Sequence, residues 1–201
     1  MYKQWAECTK FVLTRCRRSD QAHFDFYCSL PQDVSLAIKK AKKRYAQWEH
    51  ADLHAVISHA KRRKINSAMQ QEACEGQQCV EVPAGVDPPF KCFPGTKLVG
   101  CVNTGKFVNS AWYAVLAVGE TILLEDQHDR STFEVTPEVL SKNAMLAYAV
   151  TYHRLQGATH TGTLCLHNLD SKHFQRHHLY VGLSRVTHGE NAYIAPDCGK
   201  K

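Results

Sequence analysis

The sequence has no long apolar run. None approaches the ~20 residues that a membrane-spanning helix requires, so no membrane association is expected. It has no Gly/Ser-rich linker, no internal repeat and no low-complexity tract, and no secretory signal is read at its start. A chain of 201 residues with these absences is expected to form one compact unit, or one core domain with an insert. Paired cysteine spacing is also missing. The nine cysteines are odd in number and irregularly placed, which argues against a disulfide framework and for reduced intracellular thiols. Cys74, Cys79, Cys92 and Cys101 could be drawn as a zinc site, but C-x4-C followed by unpaired cysteines does not match C-x2-C knuckles, and no metal site is expected.

A phosphate-binding loop is absent as well, although one stretch imitates it. In "GCVNTGKFVNS", Gly100, Gly105 and Lys106 have P-loop spacing, but Phe107 stands where a Ser or Thr hydroxyl would hold Mg²⁺. The residues that follow favour strand over helix, so no helix N-terminus would face a phosphate. The expected structure is a turn between strands, with Lys106 exposed.

What is present is a globular composition, 44% apolar, with a formal charge of +6 from 25 Lys/Arg against 19 Asp/Glu. That excess suits a polyanionic partner. Two basic runs carry much of it, "IKKAKKRYAQW" and "HAKRRKIN", and each reads as a solvated helix face. "TKFVLTRCRRSD" reads as a short strand entering a turn. A helix is expected after Pro31, capped by Asp33, with Val34, Ala37, Ile38, Ala41, Tyr45 and Trp48 at helical spacing. "LHAVISHA" reads as a buried strand leading into a basic helix. Residues 80–135 read as a small antiparallel β unit, rich in β-branched and aromatic residues between turn signals. Thr136 and Pro137 start a short helix. "NAMLAYAV" reads as one continuous buried strand, "SKHFQRHHLYVGLSRVT" as a helix and "HGENAYI" as a last strand. In "HFQRHH", His177 and His178 are adjacent and are expected to diverge on the surface. The order is α/β, β insert, α/β.

The most specific pattern lies in the last third: "AYAVTYHRLQGATHTGTLCL", then "HHLYVGLSRVTHGENAYI". Together these resemble the last two motifs of superfamily-1 helicases of the RecD/Dda-like branch. Other segments follow the same family order. "LTRCRRSD" resembles the element that opens the second RecA-like domain, and "AVISHAKRRKIN" the next strand and helix, ending in Asn66. "KLVGCVNTGKFVNSAWYAVLAV" resembles the entry to an SH3-like insert, except that Asn109-Ser110 replaces Asn-Gly and makes a positive-φ turn costlier.

The resemblance implies an α/β fold: a RecA-like parallel sheet with helices on both faces and a small SH3-like antiparallel β insert. Residues 1–80 would begin the second RecA-like domain, 81–140 form the insert, and 141–201 complete the domain. The family's first RecA-like domain, with its P-loop and Mg²⁺-binding acidic motif, has no counterpart here; "ILLEDQ" reads as a hairpin end. By resemblance, Arg185 is the arginine finger and Arg18 a second γ-phosphate arginine, with Arg17 the alternative. Gln156 and Gly157 would lie at the nucleotide. Thr151, His153, Thr159, Asn66 and Trp112 would contact nucleic acid, with Trp112 and Tyr113 as stacking candidates of which at least one is core.

The implied activity is that of the C-terminal motor domain of a 5′ to 3′ ATP-dependent DNA helicase. It would be inactive alone and would use ATP and Mg²⁺ only when a first RecA-like domain is supplied in cis or trans. Single-stranded DNA is the expected partner and an intracellular location, nuclear or cytoplasmic, is expected. The compact, histidine-rich chain suits a virus or mobile element. A non-catalytic single-strand-binding module and a degenerate helicase remnant are the alternatives.

Overall fold

The computed structural model describes residues 16–48 and 50–196. The strand expected within "TKFVLTRCRRSD" falls largely on residues 9–15, outside the described residues; residues 17–19 form a bend.

Two helices come first, α1 (Gln21–Cys28) and α2 (Val34–Arg44). Each is started by an aspartate side chain that accepts a backbone N–H: Asp20 from His23, and Asp33 from Leu36. α1 was not read from the sequence. α2 ends earlier than its apolar spacing suggests: Tyr45 is its C-cap, and Trp48 lies beyond it, 52% exposed.

β1 (Leu53–Val56), β9 (Ala149–Thr151), β10 (Leu164–Leu166) and β11 (Ala192–Ile194) form a parallel sheet in the order β11-β10-β1-β9. β1 and β10 are buried along their whole length, as expected of parallel strands covered on both faces. α3 (His59–Ala73), capped by Ser58, packs against β1 and β9, and α5 (Arg176–Leu183) packs against β10 and the first two helices. Leu53, Leu164, Leu166, Tyr152, Leu179 and Leu183 belong to one core. Among the described residues no helix is long and apolar enough to cross a membrane.

Residues 80–135 supply β2 (Val80–Val82), β3 (Phe90–Cys92), β4 (Lys97–Gly100), β5 (Trp112–Val118), β6 (Ile122–Asp126) and β7 (Thr132–Val135). After α4 (Pro137–Asn143), capped by Thr136, comes β8 (Ala144–Leu146). The antiparallel sheet runs β7-β6-β5-β4-β8 around a second core containing Phe107, Tyr113, Leu98 and Leu124. Glu125-Asp126 does end a hairpin strand.

"NAMLAYAV" is therefore not one strand. β8 pairs antiparallel with β4, while β9 pairs parallel with β1. The chain stays extended but changes sheets: Ala147 N–H donates to Lys97 C=O, and Tyr148 C=O accepts from His54 N–H. Burial of every residue from Ala144 to Val150 conceals that switch from a pattern reading.

Asn66, expected at the nucleic acid, secures the switch instead. It is 2% exposed. Its amide donates to Leu146 C=O and Ala149 C=O and accepts from Ala149 N–H. With these groups engaged inside the protein, Asn66 has no face for a ligand. The solvated face expected of "HAKRRKIN" is present at exposed Arg63 and Lys64, but Arg62 departs from it: it is buried and forks onto Asp87 at 2.7 and 2.8 Å.

Candidate nucleotide and nucleic-acid interface

Arg185 follows the C-terminus of α5. Its Nη2 and Nε donate to Ser184 Oγ at 2.9 and 3.2 Å, and its Nη1 donates to Ala158 C=O at 3.3 Å. The Ser184 hydroxyl is itself fixed to Val181 C=O. The guanidinium is thus half-buried and held by neutral acceptors, and among the described residues no carboxylate forms an ion pair with it.

Arg18 reaches the same place because its segment is pinned there. Asp20 N–H donates to Thr187 C=O, and the Asp20 carboxylate accepts from Gly189 N–H at 2.7 Å. Burial raises the Asp20 pKa, but the amides of Gly189 and His23 outweigh it and bring it down. Behind this pin, fully buried His23 hydrogen-bonds Leu183 C=O at 2.7 Å and Tyr45 Oη at 2.8 Å, tying α1 to the end of α5. A ring nitrogen facing a carbonyl must carry the proton, so His23 Nδ1 accepts from the tyrosine. Burial, then the positive charge of Arg18, lowers the Arg185 pKa, while the phenols of Tyr180 and Tyr27 act the other way. Arg18, exposed, thus lies within electrostatic reach of half-buried Arg185. That arrangement suits a bound polyanion.

The second part of the site is the loop after β9. Thr151 Oγ1 accepts from Arg154 N–H and starts the turn, and Gly157 ends it at φ +87°, a conformation that disfavours any Cβ. Gln156, Gly157, Ala158 and Thr159 line one wall of a cleft of about 750 Å³. Asn109, Ser110 and Trp112 line another, with Asp126 to Asp129 of the β6–β7 turn. Ser110 sits at φ +68°, the positive-φ turn expected of the Asn-Ser pair. Trp112 is half-buried against the larger core, and its indole N–H is buried without an acceptor among the described residues. Tyr113 is core. Ala158 belongs to both parts, as cleft lining and as acceptor for Arg185.

The structure thus brings Gln156, Gly157 and Thr159 together with Trp112, and leaves Arg18 within electrostatic reach of Arg185. Thr151 and exposed His153 flank the loop outside the cleft lining. Arg154 went unremarked in the sequence. Its Nη1 donates to Gly100 C=O at 2.5 Å and to Asn109 Oδ1 at 3.2 Å, joining the loop to the antiparallel sheet. Its neighbours in the helicase-like motif were the only signal available. The P-loop imitation ends in core packing: Phe107 is 1% exposed, packed edge-on against Tyr113 and Phe133. His177 and His178 do not diverge; their rings lie 4.0 Å apart, and half-buried His178 caps α5.

No protein-family model matches the sequence, and no curated protein matches it. Solved structures do match the fold. Pif1 helicases captured unwinding DNA at forked double-stranded DNA match with a TM-score of 0.62 and 18% identity, over 90% of this chain and 48% of theirs. Bacteroides Pif1 bound to single-stranded DNA matches with a TM-score of 0.60 and 18% identity, over 89% of this chain and 50% of that one. Bacteroides Pif1 in complex with ADP-AlF3 and single-stranded DNA gives a TM-score of 0.60 and 18% identity, over 92% and 51%. The chain spans about half the length of these helicases, and it has the fold of that half: a RecA-like parallel sheet with its helices, joined to a small antiparallel sheet.

Proposed function

We propose that this chain is the second motor domain of a superfamily-1 DNA helicase of the Pif1 type, with residues 81–140 as its SH3-like insert. In this reading Arg185 is the arginine finger and Arg18 its companion at the γ-phosphate. The observation that carries it is Arg185: a half-buried guanidinium held by neutral acceptors, unpaired with any described carboxylate, with the positive charge of Arg18 within electrostatic reach. Fixed positive charge of this kind stabilises the charge that develops during phosphoryl transfer. The residues present fit the γ-phosphate end of ATP. The P-loop lysine and the acidic Mg²⁺ ligands would come from a first RecA-like domain, in the same polypeptide or from a partner, and the chain alone would not hydrolyse ATP.

The cleft beside Gln156 to Thr159 would take single-stranded DNA. Hydroxyl and backbone donors there would meet phosphates, and half-buried Trp112 offers an aromatic surface. Such a protein works inside the cell, on the DNA.

The test joins the chain to a first RecA-like domain and measures ATP turnover with and without single-stranded DNA. DNA-stimulated turnover that collapses in Arg185→Ala supports the motor reading. Salt-sensitive DNA binding with no effect of nucleotide would replace it with a non-catalytic binding module. Failure of both would leave a remnant fold.

A further inference from the structure

We propose that His54, Cys165 and His167 form a buried site for a thiophilic transition-metal ion, Zn²⁺ or Cu⁺. The parallel register places His54 opposite Cys165, so the two side chains leave the sheet on one face, and His167, two residues on, returns to it. The ligand atoms of all three residues lie within 4.8 Å of one another. All three are buried: His54 4%, Cys165 0% and His167 4% exposed. One sulfur and two imidazole nitrogens are the donor set that these ions select.

The two imidazoles meet through one ring nitrogen each. His54 Nδ1 lies 2.8 Å from His167 Nε2. One of these nitrogens carries the proton of that hydrogen bond, so a metal would take the place of the proton and the donor ring would hold its proton on its other nitrogen. Both rings are neutral at physiological pH. Burial, with smaller contributions from the charges of Lys61 and His50, brings His54 to about 4; burial, then His54 and Lys61, brings His167 to about 3.

The segment that enters β1 covers the cluster. Trp48 C=O accepts the Cys165 thiol at 3.1 Å, and His50 packs edge-on against the Trp48 ring. Three ligands leave one position open on Zn²⁺ and suffice for Cu⁺, whose charge the Cys165 thiolate balances. Binding releases the thiol proton to solvent. This site stands apart from the arginine pair and the cleft, and it reverses the expectation of no metal. C-x-H at 165–167 is the sole local trace in the sequence, since His54 lies 113 positions from His167.

The experiment uses the full chain, stripped with a chelator under reducing conditions. It is titrated with Co²⁺, the spectroscopic stand-in for Zn²⁺, and separately with Cu⁺ against a bicinchoninate competitor. One equivalent of at least one ion should bind, and a thiolate-to-cobalt absorption band should appear if the Zn²⁺ arm is the correct one. Cys165→Ser, close in shape and able to keep its bond to Trp48, should lose that band and weaken binding by roughly 100-fold or more. Cys28→Ser, at an exposed thiol, should change nothing. Less than about a tenth of an equivalent of either ion, or unchanged binding in Cys165→Ser, would overturn the site and leave a closed, hydrogen-bonded histidine pair.

Discussion

Two groups of arginines in this molecule have opposite surroundings. Arg62 and Arg63, on α3, converge on one carboxylate: Arg62 forks onto Asp87 at 2.7 and 2.8 Å, and Arg63 reaches it at 3.0 Å. The Arg62 and Asp87 side chains are 2% and 6% exposed. Arg185 has neutral acceptors around it and no described carboxylate, and the nearby charge that acts on it is that of another arginine, Arg18. A guanidinium that has found its anion within the fold is holding the fold together. One positioned by pins elsewhere, without an anion, is available to a ligand. Arg18 sits in a basic stretch of sequence as Arg62 and Arg63 do, so local charge did not separate them; the partner does.

The comparison can be broken at either end. The largest effect is expected for Arg185→Ala in the completed two-domain motor, where ATP turnover should fall roughly 10³-fold while the unfolding midpoint stays close to wild type. Turnover within a few-fold of wild type would place Arg185 with the structural arginines. Asp87→Asn should do the reverse. Leaving Arg62 buried without its carboxylate should cost about 3–5 kcal/mol in denaturant unfolding, and a loss below about 1 kcal/mol would show that the ion pair is dispensable. Asn66→Ala comes next. Three buried backbone groups lose their partner, and about 2–3 kcal/mol of stability should go with them, with no specific change in DNA affinity beyond that caused by unfolding. A selective loss of DNA binding in a fully folded Asn66→Ala protein would return this residue to the interface. The smallest effect is expected for Gly157→Ala. Space is open around the position, so only the φ of +87° resists, at about 1–2 kcal/mol. DNA affinity should fall with it if the loop geometry matters.

Local signals in the sequence were reliable where the chemistry is local. Asp33 and Thr136 each cap the helix that their side chains suggest, and the strands of residues 80–135 follow their turn residues. Ser110 adopts the positive φ that its place in the motif requires. The signals failed where a contact spans the chain. His23 holds α5 from 160 positions away, and nothing near it in sequence announces a partner. α1 has little periodicity to read, with only His23 and Tyr27 buried. Asn66 looked like a motif residue because it ends a family-like pattern, yet its partners are the backbone of Leu146 and Ala149. That Arg18 lies within electrostatic reach of Arg185 was legible only through resemblance, since the Asp20 and His23 pins behind it are tertiary.

The change of sheets at Ala147–Tyr148 bears on how the antiparallel unit could be engineered. Cutting at residues 81 and 140 looks clean in the sequence, but β8 would stay behind, and with it a fully buried Ala144–Leu146 that had been paired to β4. Its backbone donors and acceptors would be left facing water along an apolar strip, a template for another chain to dock. A trimmed version should therefore precipitate or form ladders of itself, whereas exchanging the β5–β6 hairpin tip around Gly119-Glu120 leaves every ladder intact and is the graft point that the architecture tolerates.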